Sequence, residues 1–86
     1  MTVPTDAAAA LETARTMLGL SHLELWYDYV ALGGNHAPDT ILAFLDQNTQ
    51  IAEPEYDRLV QALNEHFIDS GDNHPLPYAD ELPPQT

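Results

Sequence analysis

The stretch "SHLELWYDYVALGG" (residues 21–34) fixes one element of the fold at both ends. Ser21 stands where a helix N-cap belongs, and Glu24 follows three residues later; together they spell a capping box, in which each side chain accepts from the other's backbone N–H. Leu20 before the cap and Leu25 inside the first turn are spaced as a hydrophobic staple. The helix is expected to run to Leu32. Gly33 then takes the left-handed C-terminal position, and Gly34 continues the turn. A glycine pair after a helix, without the spacing of a phosphate loop, needs no ligand to explain it.

This helix is apolar on two sides. Leu23, Trp26, Tyr27 and Val30 form one stripe, and Leu25, Tyr29 and Leu32 form another almost opposite. A helix apolar all round belongs in the centre of a bundle, so the expectation is burial on both sides. The competing expectation is that Leu25, Tyr29 and Leu32 form an exposed surface for a partner.

Three more helices surround it in the reading. "TDAAAALETARTMLG" carries Thr5 as a cap and Asp6 at the positive end, and alanines favour helix. Ala7, Leu11, Ala14 and Leu18 repeat at helical spacing, and Gly19 ends the run. A short third helix opens at Pro38 and Asp39 and offers Ile41, Leu42, Phe44 and Leu45 to the core. "TQIAEP" reads as a connector. The fourth helix opens at Pro54 and is the most clearly amphipathic, with Tyr56, Leu59, Val60, Leu63 and Phe67 within about 100° of arc. It is expected to stop at Gly71.

From Asp72 the composition changes, and most of the prolines lie beyond it. The expected architecture is all-α: four short helices over residues 1–71, then a proline-rich acidic tail over 72–86. The tail is either disordered or strapped on through Leu76, Tyr78 and Leu82. "LELWYDYVALGG", "LAFLDQ" and "LVQALNEHFIDSGDNHPLPYADEL" together resemble a family of small, uncharacterised, mainly helical bacterial proteins. The resemblance implies a self-contained small helical protein and assigns no functional residue.

Charge removes whole classes of function. Fourteen acids stand against two arginines and no lysine, a formal net charge of −12. Neutralising phosphates takes several cations, so nucleic acid is excluded as a ligand, and an anionic membrane surface is disfavoured. A basic protein surface would be attracted instead. There is no cysteine, hence no disulfide and no thiolate chemistry. That fits a reducing compartment, and the opening "MTVPTDAAAALE" lacks the pattern of a secretory leader. The expected location is the cytoplasm.

Chemical sites are scarce. His22, His36, His66 and His74 include no pair three or four residues apart, which argues against zinc. "DSGDNHPLPYADE" fails as a calcium loop, because His74 falls where glycine is needed and prolines fall at ligand positions. Ser21 is explained as a cap. Ser70 has no histidine placed by sequence to activate it, and its setting at a helix end, before Gly71, differs from the carrier serine of acyl carrier proteins. "ALGGNHAP" would suit a helix–turn–helix, but the helix after it contains no lysine or arginine to read DNA. The expectation is therefore a small protein-interaction or regulatory module, with no enzyme activity, no metal and no cofactor. Its partner would be a basic protein or a second copy of the chain. The alternative is a non-catalytic subunit or small-ligand binder with a pocket beside Trp26 and Tyr29.

Overall fold

The computed structural model describes residues 2–72 and 76–82. Four helices carry the fold: α1 (Ala8–Leu18), α2 (His22–Ala31), α3 (Pro38–Leu45) and α4 (Glu53–Asp69). Short 3-10 turns sit at Thr5–Ala7 and Ala79–Glu81. The protein is mostly helical, as its patterning requires.

α4 is the hub. Tyr56, Leu59, Val60, Leu63 and Phe67 are all buried, and the helix packs against both α1 and α2. Burying side chains of this size stabilises by roughly 1.5–3 kcal/mol each, so this stripe is the largest single contribution to the core. α1 adds Ala8, Leu11 and Ala14, and α3 adds Ile41, Phe44 and Leu45. The Phe44 and Tyr56 rings meet edge to face, 6.3 Å between centroids, an arrangement favoured by the ring quadrupoles.

The punctuation is where the residue types require it. Ser21 Oγ accepts from the Glu24 N–H at 3.0 Å, and Glu24 Oε1 accepts from the Ser21 N–H at 2.9 Å. Gly19 (φ 72°), Gly33 (φ 97°) and Gly71 (φ 90°) all take left-handed backbone after a helix. α3 ends without a glycine: Gln47 takes φ 65° instead, a conformation that costs a residue with a Cβ about 1–2 kcal/mol.

Several expectations need correction. Thr5 does not cap α1; it lies in the preceding 3-10 turn, and Ala7 occupies the cap position without a side-chain bond. Ala8 is the fully buried alanine of the first turn, while Ala7 is only half-buried. Leu42 lies on the exposed side of α3. The connector before α4 contains β2 (Ile51–Ala52), paired antiparallel with β1 (Thr2–Val3), so that Val3 faces Ile51 across the pair. Both Val3 and Ile51 are buried.

α2 is not central. Leu25 and Tyr29 are fully buried, but Leu23, Tyr27 and Val30 are 50, 60 and 39% exposed. The helix lies on the outside of the bundle with one apolar side in and one out. Leu32, just past its end, is half-buried.

Beyond the end of α4, residues 76–82 lie along that helix. Asn64, buried on α4, grips the Leu76 backbone from both sides: its Nδ2 donates to the Leu76 carbonyl at 3.1 Å, and its Oδ1 accepts from the Leu76 N–H at 3.2 Å. Tyr56 Oη donates to the Pro77 carbonyl at 3.1 Å, and Asp57 accepts from the Ala79 N–H at 2.7 Å. Leu76, Tyr78 and Leu82 pack partly against the core. Expectations that fall on residues 73–75 and 83–86, His74 among them, lie outside the described residues.

Candidate functional site

Polar groups or open apolar surface gather in three places: the buried polar cluster around Tyr29, an apolar groove beside α1, and the outer side of α2 with the cleft next to it.

The cluster around Tyr29 joins α2, α4 and the loop between α2 and α3. The Tyr29 hydroxyl accepts from the backbone N–H groups of Asn35 and His36, at 3.1 and 2.9 Å, and donates to Glu55 Oε2 at 3.0 Å. Arg58 donates to the same carboxylate oxygen at 2.8 Å and, through Nε, to the Leu32 carbonyl at 3.3 Å. Trp26 Nε1 donates to the His36 carbonyl at 2.9 Å. Burial pushes the Glu55 carboxyl up, but hydrogen bonds from Arg58 and Tyr29 outweigh it and hold the group below the usual range. Burial pushes the Tyr29 phenol up, and the Glu55 carboxylate adds to the rise while the His36 N–H opposes it.

Every group in this cluster has a partner within the chain, and no buried side-chain nitrogen or oxygen is left unpartnered among the described residues. The arrangement holds the loop against α2 and α4. Gly34 belongs to it: a Cβ there would stand 2.3 Å from the Tyr29 ring, so only glycine lets the backbone pass. This close approach is a stronger demand for glycine than the turn that the sequence suggested.

Where a pocket beside Trp26 and Tyr29 was expected, the Tyr29 hydroxyl and the Trp26 indole N–H are both taken up by groups of the chain. Leu25 and Tyr29 are closed off as a partner surface, because both lie wholly within the core. Leu32 differs from them: it is half-buried, and its backbone carbonyl accepts from Arg58.

A groove of about 560 Å³ runs between α1 and the C-terminal end of α4. Ala9, Ala10, Thr13 and Met17 line one side, with Phe67 and Leu76 on the other. Among the described residues that line it, Asp72 is the only ionisable one, and most of the others are apolar. The alanine run that favours helix in α1 is also what leaves this side of it low.

The outer side of α2 presents Leu23, Tyr27 and Val30, which follow one another by four and three residues and so share one face. Trp26 is half-buried beside them, its ring 5.3 Å from that of Tyr27. Next to this face is a cleft of about 270 Å³ between α2 and α4, lined by Asp28, Ala31, Leu32, Ala62, Glu65, His66 and Asp69. Inside it His66 Nε2 lies 2.7 Å from Asp28 Oδ2.

The other histidine bridge joins α2 to α1, with His22 Nε2 3.0 Å from Glu12 Oε2. Glu12 also pairs with Arg15, whose guanidinium reaches the Leu20 carbonyl. Burial raises the Glu12 carboxyl, but its bonds to His22 and Arg15 bring it below the usual value. Both arginines are thus engaged within the chain. Among the described residues no three His, Cys, Asp or Glu side chains converge in a way that could hold a metal ion, and no helix is long and apolar enough to cross a membrane.

Comparison with known protein families, with curated proteins and with solved structures gives no match to this chain.

Proposed function

We propose that the protein is a small acidic interaction module without catalytic activity, and that it meets its partner through the outer side of α2. The observation that carries this reading is the open row of Leu23, Tyr27 and Val30. Folding leaves these three large apolar side chains partly in water on a single helix face, and a partner that covered them would gain roughly 25 cal/mol per Å² of apolar surface removed from water. Tyrosine suits such a place, because its ring packs while its hydroxyl stays wet.

The reading of non-catalysis is supported by the closed state of the Tyr29 cluster, whose polar groups already answer one another. Residues 76–82 belong to the proposal as a strap along α4, supported by the grip of Asn64 on Leu76. A cytoplasmic location is part of the same reading, in keeping with the cysteine-free sequence.

The test is capture from the native cell by a tagged chain, compared with a Leu23→Ser/Tyr27→Ser/Val30→Ser variant, with bound proteins quantified by mass spectrometry. The proposal expects a protein held in stoichiometric amount by the wild type and lost from the variant. A partner retained equally by both would place the interface elsewhere, and reproducible capture of nothing would remove the interaction role.

A further inference from the structure

The outer face of α2 and the cleft beside it form one continuous surface of mixed chemistry. At about 100° per residue, Leu23, Tyr27 and Val30 centre on one line of the helix. Ala31 and Glu24 come next around the cylinder, and Asp28 after them. Ala31 and Asp28 are also the α2 wall of the cleft. From Tyr27 the surface therefore passes across Ala31 directly to the carboxylates of Asp28, Glu65 and Asp69.

No arginine side chain lines this cleft. Arg15 is tied to Glu12 and the Leu20 carbonyl, and Arg58 to Glu55 and the Leu32 carbonyl. Its three carboxylates face one histidine, on a chain whose formal net charge is −12. A second copy of the chain would bring the same sign to the same place, and like charges juxtaposed across an interface oppose association.

We infer that the occupant of this surface is a cationic amphipathic segment of a partner protein. Its apolar side chains cover Leu23, Tyr27 and Val30, and an arginine or lysine enters the cleft among Asp28, Glu65 and Asp69. The cleft, at about 270 Å³, admits one such side chain. The acidic field steers the encounter, and the apolar row holds the complex once formed. This inference rests on the interaction role proposed above and adds the chemistry of the partner.

The chain's single tryptophan gives a direct readout, because Trp26 lies beside Tyr27. The probe is a synthetic amphipathic helix of leucine and lysine, titrated against the full chain while Trp26 fluorescence is followed. A leucine–glutamate helix of the same pattern is the control. The inference expects saturable binding of the lysine peptide alone. Tyr27→Ser, and separately Glu65→Gln with Asp69→Asn, should each weaken it about tenfold, equivalent to ~1.4 kcal/mol. The same change of charge made at Asp6 and Asp46, outside α2 and α4, should weaken it far less, and Met17→Ser in the α1 groove should leave it unchanged.

No saturable binding would overturn the inference. So would equal weakening by the Asp6 and Asp46 changes, since binding would then follow net charge alone. A loss with Met17→Ser as large as with Tyr27→Ser would move the seat to the groove. Sedimentation of the chain alone as a dimer that Tyr27→Ser dissociates would make a second copy the occupant. If the lysine peptide fails while the cellular partner is still lost from the serine variant, the interaction role stands and the cationic chemistry falls.

Discussion

Tyr27 and Tyr29 are two residues apart on one helix, and their circumstances are opposite. Tyr29 is completely buried with three hydrogen bonds on its hydroxyl, whereas Tyr27 is 60% exposed. Their neighbours divide in the same way: Leu25 is inside with Tyr29, and Leu23 and Val30 are outside with Tyr27. Hydrophobicity does not separate the two sides. What separates them is the polar wiring that only the inner side receives, from Glu55 and from the backbone of Asn35 and His36. A burial-competent tyrosine needs a partner for its hydroxyl, and α4 supplies one to Tyr29.

The comparison can be broken or sharpened by substitution. A large effect is expected at Leu25→Ala, a cavity at a fully buried site, with a loss of about 2–5 kcal/mol in denaturant unfolding. Leu23→Ala on the other side should shift the same midpoint hardly at all; a comparable loss there would dissolve the distinction.

Next in size is Tyr29→Phe. It removes the hydroxyl and leaves the Asn35 and His36 N–H groups and Glu55 short of a partner, for a cost of roughly 1–3 kcal/mol. Gly34→Ala forces the Tyr29 ring to move and should cost a similar ~1–3 kcal/mol, as overpacking does. If both variants melt like the wild type, the cluster does not hold the loop.

A smaller, pH-dependent effect comes from Tyr56, whose phenol is pushed up to about 12 by burial, with Asp57 and Glu81 adding to the rise. A raised value means that its contribution is complete below the ordinary phenol value of 10.0 and is lost as pH rises from there through about 12. Thermal melts across that range should show stability falling, and Tyr56→Phe should flatten that part of the fall. Glu55 acts at the other end of the scale. Its carboxyl lies below 4.5, so its contribution is present above that value and is lost as pH falls through the lowered one. Glu55→Gln should blunt the acid limb. The smallest effect is expected at Val30→Ser, within about 0.5 kcal/mol of wild type, as for surface changes generally.

The sequence made some of this legible, for physical reasons. Ser21 and Glu24 act within one turn, so their spacing alone declares the cap. Gly19, Gly33 and Gly71 mark helix ends, because left-handed backbone favours glycine. The α4 stripe is legible because polar residues bound it, and a helical period shows only where there is such contrast. α2 offers no contrast, and its orientation was decided by residues on another helix.

Other features depended on partners far away in the chain. The two-residue strands are too short for any alternation to show, and they pair residues on either side of α1, α2 and α3. Thr5 is a good cap residue displaced by a 3-10 turn. Two of the polar anchors carry a signal in the sequence: Asn64 follows Leu63 and lies four residues after Val60, and Glu55 precedes Tyr56, so each polar group adjoins the core face. A polar side chain there needs a partner, which Asn64 finds in Leu76 and Glu55 in Tyr29 and Arg58.

The central claim is that α2 has one side that makes the fold and one that is free for a partner. Denaturant unfolding of Tyr27→Ala and Tyr29→Ala, measured side by side, tests it most directly. The account predicts a loss of about 3–5 kcal/mol for Tyr29→Ala and a change within about 0.5 kcal/mol for Tyr27→Ala. Equal losses, or the larger loss at Tyr27, would contradict it.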